Sequence, residues 1–218
     1  FFSTHTPPYA ILSGLVGSEM CIRDRIRSAL GASDTSFHGM GREDIDVSCL
    51  GSGRPFVLEI KHPSIRDYKL QDLVDLVNEN GVGRVELDEL SWCNRPKVNE
   101  VKSSRSDKSY TIRFRVDREI ESELVSDAIL SLSGAEISQE TPKRVSHRRA
   151  DKVRKRKIVS VDSVAVEGDE VEVTLRCEAG TYVKELVHSD EGRTVPSFSG
   201  TIGAECEVIW LDVEDIHY

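Results

Sequence analysis

The chain has 218 residues and a net charge of −9, with 38% hydrophobic and 31% charged residues. This composition is typical of a folded globular protein, and no run approaches the roughly 20 apolar residues that a membrane helix needs. It therefore excludes the disordered and membrane-embedded classes, whereas the length is compatible with one domain or two.

Residues 1–25 differ from the rest of the chain. They read FFSTHTPPYAILSGLVGSEMCIRDR, show no sustained helical or strand period, and lack the basic start of a signal peptide. Residues 14–25 resemble a translated sequencing adapter that recurs at the ends of proteins predicted from metagenomes. We therefore expect residues 1–25 to be a non-native leader, the alternative being a native disordered one, and residues 26–218 to be a single two-lobed folded unit.

The first elements after the leader are a strand and a helix. Phe56–Ile60 has the composition of a strand, and His62-Pro63 would end it. From Asp67 to Asn80 the apolar residues recur with a helical period, and Gly81 would close the helix.

A second amphipathic helix is predicted from the spacing of Ile120, Leu124, Ala128 and Leu132, ending near Gly134. Strands are predicted around it, two of them joined as a hairpin across a Glu-Gly-Asp turn. The sequence thus predicts an α/β fold with a mixed sheet. The predicted strands are 110–116, 158–166, 170–177 and 206–213.

The cysteines are odd in number, widely spaced and never arranged as Cys-x-x-Cys. This pattern predicts reduced, mostly buried thiols of an intracellular protein, and it argues against a zinc site. The five are Cys21, Cys49, Cys93, Cys177 and Cys206.

A strongly basic segment runs from Lys143 to Lys157 within this acidic chain. It holds nine lysines and arginines against one acid, Asp151. Such a segment is often only a solvated helix face or loop, but this local excess of cations favours contact with a nucleic acid. We call residues 143–157 the basic segment.

The sequence Gly41-Arg42-Glu43-Asp44-Ile45-Asp46 concentrates acids beside a glycine turn. Asp44 and Asp46 would share a face if the segment were extended. One aspartate could then act as nucleophile or general base, or the acids could bind a divalent metal for phosphodiester hydrolysis. An acidic turn that caps a helix or pairs with Arg42 is the ordinary alternative.

Residues Gly180-Thr181-Tyr182-Val183-Lys184 follow a strand and are predicted to open a short helix that runs toward His188. Tyr182 could pack on a base or ribose. Lys184 could pair with Asp44 and favour its ionised form. A core tyrosine and a surface lysine are the ordinary alternatives.

Four motifs in this order resemble the catalytic domain of the archaeal and eukaryotic tRNA pseudouridine-54/55 synthases. The resemblance covers the chain from about Ile26 to its end, and it implies the pseudouridine synthase fold, a mixed and mainly antiparallel sheet with flanking helices. The motifs are GREDIDV at 41–47, Lys108-Ser109-Tyr110, Gln139-x-Thr141-Pro142-x-Arg144 with its continuation to Asp151, and GTYVKELVH at 180–188 with 192–197.

The resemblance implies isomerisation of uridine to pseudouridine in the TΨC arm of tRNA, at position 54, position 55 or both. Asp44 is then the catalytic aspartate. Tyr110 is a catalytic residue that stacks on the target base, and Lys184 is the basic partner of the aspartate. Tyr182 and Arg42 are implied substrate contacts. The residues expected to bind RNA are Arg54, Lys143, Arg144, Arg148, Arg149, Arg154 and Arg156.

No metal or organic cofactor is implied, and we expect a cytoplasmic monomer that binds tRNA and no membrane. Ser48 and Cys49 stand where the family usually has a basic and an apolar residue, so one phosphate contact is expected to be missing. Nothing in the sequence corresponds to the family's N-terminal RNA-binding region with its zinc module. A metal-dependent RNA nuclease that uses Glu43, Asp44 and Asp46, and a non-catalytic RNA-binding module, are the alternatives.

Overall fold

The computed structural model describes residues 4–5, 18–41, 43–44, 46–148 and 150–218, without the side chain of Arg148. Its residues fall into two compact units. Unit 1 comprises the described residues up to Ser104 together with Glu214–Ile216, and unit 2 comprises Arg105–Val213 with His217 and Tyr218.

Unit 1 combines helices with a two-stranded antiparallel sheet in which β2 pairs with β4, Phe37 lying opposite Leu58. A second antiparallel pair joins β1 to β5. The predicted strand at 56–60 is confirmed, and the predicted helix begins at Leu70 rather than Asp67. The elements of unit 1 are β1 (Thr4–His5), α1 (Ser18–Ala29), β2 (Asp34–Gly39), β3 (Ser48–Cys49), β4 (Phe56–Lys61), α2 (Leu70–Gly81), β5 (Glu86–Leu87) and α3 (Pro96–Ser103).

The core of unit 1 lies between α1, α2 and β4. Ile22, Ile26 and Leu30 repeat at intervals of four residues and are almost fully buried, as one face of a helix requires. The ring of Phe56 stacks on Phe37 at 4.4 Å between centroids. The boundary that we placed after Arg25 therefore falls inside α1, while residues 1–3 and 6–17 lie outside the described part of the chain.

Unit 2 is built on a mainly antiparallel sheet with the strand order β10-β7-β8-β9-β6-β11. The predicted hairpin is confirmed, since β8 and β9 pair on either side of Gly168, whose φ is +65°. The elements of unit 2 are β6 (Asp107–Val116), α4 (Ser122–Leu130), β7 (Glu136–Gln139), a 3₁₀ turn (Lys143–Arg148), β8 (Arg154–Glu167), β9 (Glu170–Cys177), α5 (Val183–His188), β10 (Thr194–Val195), α6 (Phe198–Ile202) and β11 (Cys206–His217).

Helix α4 forms where it was predicted but ends at Leu130, and the predicted apolar face is only partly buried: Leu132, just beyond the helix, is 6% exposed. Val125 and Ile129 are 2% and 0% exposed, whereas Leu124 is 59% exposed. Both sets of residues have a helical spacing, so the period alone did not distinguish the buried face from its neighbour. The ring of Phe114 on β6 packs on Phe198 of α6 at 5.7 Å between centroids.

Candidate functional site

Asp44 lies in the loop between β2 and β3 of unit 1. Its carbonyl accepts a hydrogen bond from the Val47 N–H at 3.2 Å, which is the contact of a tight turn. The segment is therefore not extended, and the argument that alternation places Asp44 and Asp46 on one face does not apply. Asp44 is half-buried and Asp46 exposed. Arg42, the predicted substrate contact, lies outside the described residues.

Tyr110 lies in unit 2 on the central strand β6, opposite Leu175 of β9. It is 4% exposed. Every second residue from Tyr110 to Val116 is buried, as expected for a strand with one face on the core. A role as a stacking surface therefore requires a base to reach a ring that is covered in this conformation.

Tyr182 and Lys184 lie at the start of α5, which confirms the predicted short helix after Gly180. Gly180 has a φ of +81°, and a Cβ at this position would lie 3.4 Å from the guanidinium of Arg156. Glycine is thus favoured both by the backbone conformation and by the close approach of Arg156. Tyr182 and Lys184 are both half-buried.

Gln139, at the end of β7, holds the backbone of Tyr182 with both ends of its side-chain amide. Its Oε1 accepts a hydrogen bond from the Tyr182 N–H at 2.9 Å, and its Nε2 donates to the Tyr182 carbonyl at 2.9 Å. Gln139 is 0% exposed, so both bonds are made away from water. Gln139 stands in a family motif, but the motif assigns it no role, because its partner is 43 residues away.

Thr141 organises the start of β8. Its Oγ1 donates to the Ala150 carbonyl at 2.8 Å and accepts hydrogen bonds from the Lys152 N–H at 3.0 Å and from Arg154 Nη1 at 2.8 Å. The guanidinium of Arg154 lies over the Tyr182 ring, 5.9 Å from its centroid. Such a cation–π contact is worth about 0.5–1 kcal/mol where solvent has access. Two predicted functional residues, Arg154 and Tyr182, are thus brought together.

Arg193 lies in the 192–197 part of a family motif, which assigns it no role, and it links the same region to the loop before β10. Its Nη2 donates to the Thr141 carbonyl at 2.8 Å, and its Nη1 lies 3.2 Å from Glu140 Oε2. The Glu140 N–H in turn donates to the Arg193 carbonyl at 2.9 Å. Arg193 therefore holds the Gln139–Thr141 segment through both its side chain and its backbone carbonyl.

Arg144 belongs to the basic segment, but it pairs with a buried acid. Its Nε donates to Glu185 Oε1 at 2.6 Å and its Nη2 to Oε2 at 3.3 Å, while Glu185 is 1% exposed. A carboxylate buried to this extent requires a charged partner. The structure thus gives Arg144 a part in holding α5, beside any contact with RNA.

Other cations of the basic segment are paired at the surface. Lys143 pairs with Glu191 and lowers the pKa of that carboxyl, first through a side-chain hydrogen bond. Lys155 lies 2.8 Å from Glu136, whose carboxylate raises the pKa of the lysine. The side chain of Arg148 and the whole of Arg149 lie outside the described residues.

Some predicted site residues are not brought together by these contacts. Arg54 is half-buried in unit 1, and its guanidinium carbon lies 3.5 Å from the position of a Cβ on Gly39. Asp44 belongs to unit 1 and Lys184 to unit 2. The ion pair between them stays a prediction.

The cysteine prediction is confirmed in respect of burial, because four of the five thiols are buried and only Cys93 is exposed. Among the described residues, no three His, Cys, Asp or Glu side chains form a group that could hold a metal ion. No helix in the described part of the chain is long and apolar enough to cross a membrane.

Solved structures with the same architecture define the class of fold. A crystal structure of a Cbf5–Nop10–Gar1 complex matches 97% of this chain and 53% of its own, with 17% identity and a TM-score of 0.56. The structure of an H/ACA ribonucleoprotein bound to a substrate RNA containing 2′-deoxyuridine matches 99% of this chain and 47% of its own, with 15% identity and a TM-score of 0.52. The fold is that of the pseudouridine synthases, which confirms what the family resemblance implies.

Sequence comparison identifies the family. Residues 16–217 match the family model "Pus10, C-terminal", so the chain belongs to this family. The tRNA pseudouridine synthase Pus10 of Methanothrix thermoacetophila is 43% identical over 89% of this chain and 43% of its own length. The protein of the same name from Thermoplasma acidophilum is 41% identical over 87% of this chain and 51% of its own. The chain thus spans about half the length of the curated relatives that it matches.

Proposed function

We propose that this chain catalyses the isomerisation of uridine to pseudouridine in the TΨC arm of tRNA, at position 54, position 55 or both. The observation that carries the proposal is the GREDIDV motif with Asp44, placed within the residues that match the family model. The relatives' name, tRNA pseudouridine synthase, supports the reaction and the substrate.

The reaction moves the bond between sugar and base from nitrogen to carbon. The target uridine first leaves its stack, which costs a few kcal/mol and is offset by contacts in a pocket. Asp44 either bonds to C1′ or removes a ribose proton as the bond between C1′ and N1 breaks; the bond to Asp44 breaks again, or the proton returns to the ribose, when C1′ bonds to C5. The uracil then rotates, C1′ bonds to C5, the C5 proton leaves, and N1 gains a proton. The product is an isomer of the substrate, so the balance requires no co-reactant.

The contacts in unit 2 support distinct roles for the predicted residues. Arg154 is held by Thr141 and lies over one face of the Tyr182 ring, so a cation and an aromatic ring are close together. This pairing suits a nucleotide, because the cation can meet a phosphate and the ring can meet a base or ribose. Lys184 is proposed to keep Asp44 ionised, and Tyr110 to contact the target base.

The proposal also covers the setting of the reaction. Because tRNA is the proposed substrate, we propose that the protein is cytoplasmic. We also propose that it acts as a monomer. The part of the relatives' length that this chain does not span is expected to add affinity for tRNA, so the test must not depend on this chain's affinity alone.

The test is chemical mapping of pseudouridine in an unmodified tRNA transcript. Two proteins are compared: this chain, and a chimera in which the matching segment of the Methanothrix thermoacetophila relative is replaced by residues 16–217. We expect pseudouridine at 54 or 55, unchanged by a chelator, and none with Asp44→Asn, which removes a charge and little volume. Cleavage of the RNA that a chelator abolishes would identify a nuclease, and binding without product would identify a binding module. Either result, obtained with a folded chimera and an active parent, overturns the proposal.

A further inference from the structure

Unit 1 contains a cavity of about 660 Å³ that none of the predicted catalytic residues lines. Its apolar lining includes Ile26 of α1, Val57 of β4, and Leu70 and Leu73 of α2, and the 90–95 segment also lines it. The volume lies within the range of about 300–1,000 Å³ that small-molecule sites occupy. We call this cavity the Trp92 pocket.

Two aromatic rings lie at the Trp92 pocket. Trp92 is 74% exposed, and its ring centroid is 5.9 Å from that of Tyr68, at an interplanar angle of 46°. Burial raises the pKa of Tyr68, so its phenol is neutral at physiological pH. A large exposed indole beside apolar side chains offers a flat ligand an aromatic surface and apolar contacts.

The charges around the Trp92 pocket favour an anion. Lys61, Arg66 and Arg95 line it against one acid, Glu59, although the chain as a whole carries a charge of −9. The Glu59 carboxylate is engaged by His38 at 2.8 Å. Lys61 also pairs with Asp34 at 2.8 Å, and the pKa of the Glu59 carboxyl is lowered by the His38 hydrogen bond and also by Arg95. The two arginines are the planar cations that can meet a phosphate, with Arg95 partly balanced by Glu59.

We propose that the Trp92 pocket binds one nucleotide of a single-stranded RNA segment, with its base on Trp92 and its phosphates at Arg66 and Arg95. A nucleotide combines a flat aromatic group with negative charge and fits the volume of the cavity. Arg66 and Arg95 are both exposed, so the backbone of a longer chain can pass them on either side of the bound nucleotide. The choice of RNA over a free nucleotide rests on the proposed function.

The first experiment uses the fluorescence of Trp92. The chain has two tryptophans, so Trp210→Phe leaves Trp92 as the sole reporter. Hexauridylate is expected to quench this fluorescence in a saturable way and more tightly than uridine monophosphate. Arg66→Ala and Arg95→Ala should each lower the slope of log affinity against log salt by about 0.7, the value for one phosphate contact on a single strand. Arg84→Ala is the matched control, since Arg84 is an exposed cation of unit 1 that does not line the pocket.

The second experiment measures binding of labelled hexauridylate to Trp92→Leu by anisotropy. Loss of one stacked base predicts roughly 5- to 150-fold weaker binding. Val82→Ala, at another exposed apolar residue of unit 1, should bind as the unmodified chain does. Circular dichroism verifies that each variant is folded. Because Trp92 is exposed, we expect its replacement to leave the core intact.

Two results would overturn the inference. Absence of quenching by hexauridylate would show that RNA does not reach Trp92, and equal affinity for uridine monophosphate would make the pocket a site for a free nucleotide. Neither readout requires formation of pseudouridine. Quenching that persists in a chain without isomerase activity therefore contradicts the proposed function alone.

Discussion

The side-chain amide of Gln139 closes a pair of hydrogen bonds on the backbone N–H and carbonyl of Tyr182, each 2.9 Å long. The same tyrosine carries the guanidinium of Arg154 over its ring. One buried amide on β7 thus fixes the residue that precedes α5, and with it the ring and the cation that we propose to face RNA.

Gln139→Leu is expected to leave both polar groups of the Tyr182 backbone without this partner. Each of these partly buried groups, once it lacks a hydrogen-bond partner, costs at most about 1–3 kcal/mol in the free energy of unfolding. Pseudouridine formation should fall further than this loss of stability explains, because Tyr182 and Arg154 lose their positions. Chemical denaturation and single-turnover rates at a temperature where the variant is folded measure the two effects.

Ser138→Ala is the control for Gln139→Leu, because Ser138 is its exposed neighbour on the same strand. It should change neither stability nor rate by much. A Gln139→Leu variant with the stability and rate of the unmodified chain would show that the paired hydrogen bonds do not position Tyr182.

The pair of Arg144 and Glu185 predicts a cost in stability that is separate from RNA binding. Arg144→Ala removes the bidentate partner of the Glu185 carboxylate, and Glu185 is only 1% exposed. Removal of one member of a buried pair costs about 3–5 kcal/mol, and we expect about 2–4 kcal/mol here because the Arg144 side chain is 37% exposed. Thermal and denaturant unfolding measure it.

The double variant Arg144→Ala/Glu185→Gln tests the cause of that cost. It removes the stranded charge, so it should recover part of the stability lost in Arg144→Ala. If the double variant is less stable than Arg144→Ala by the full cost of a second independent change, the ion pair is not the reason for the loss.

The basic segment is expected to contribute unequally to tRNA binding. Replacement of Arg148, Arg149, Arg154 and Arg156 by alanine should weaken binding and flatten its salt dependence, since each phosphate contact contributes about 0.7–0.9 to the slope. Lys143→Ala and Lys155→Ala should change the slope less per charge, because these lysines pair with Glu191 and Glu136. Filter binding at several salt concentrations measures the slopes, and equal changes per charge in the two sets would contradict this division of roles.

Local sequence signals predicted the local structure and left the long-range contacts undetermined. The Glu-Gly-Asp turn and the alternation on either side of it were sufficient for the β8–β9 hairpin, because the pairing is set by a turn of adjacent residues. The four-residue repeat of Ile22, Ile26 and Leu30 was present in the sequence, but the boundary placed after Arg25 divided it.

The contact of Gln139 with Tyr182 and that of Arg144 with Glu185 each join residues more than 40 positions apart. No periodicity reports such a pair, because it depends on how β7, α5 and the 3₁₀ turn meet in unit 2. The motifs therefore identified the segments that form the candidate site, whereas the contacts between their side chains are seen only in the folded structure.

The thiols are expected to differ sharply in reactivity. Burial raises the pKa of Cys177 and of Cys206 to about 12, so at pH 8 almost none of either thiol is present as the reactive thiolate. Cys93 is exposed and should be alkylated first in the folded chain. Mass spectrometry after timed labelling with iodoacetamide, with a denatured sample as control, measures the order, and labelling of Cys177 before Cys93 would contradict it.

Tyr110 offers the sharpest test of the residue roles implied by the family resemblance. Tyr110→Phe keeps the ring and loses only the hydroxyl, whereas Tyr110→Leu loses the stacking face, a contact worth roughly 1–3 kcal/mol for one base. If Tyr110 is mainly a platform, Phe should retain substantial activity and Leu very little. If the hydroxyl takes part in proton transfer, both variants fail while Phe still binds tRNA normally.

Because Tyr110 is only 4% exposed, loss of its ring also removes packing, and the activity must be separated from stability. Phe114→Leu is the matched control for Tyr110→Leu. Phe114 lies four residues further along the same buried face of β6 and has no predicted role in catalysis. Both leucine variants should lose several kcal/mol at most and remain folded at low temperature, where single-turnover rates are compared. Activity that falls in Tyr110→Leu and persists in Phe114→Leu assigns Tyr110 to the reaction. Equal rates in the two variants would make Tyr110 an ordinary core residue of the strand.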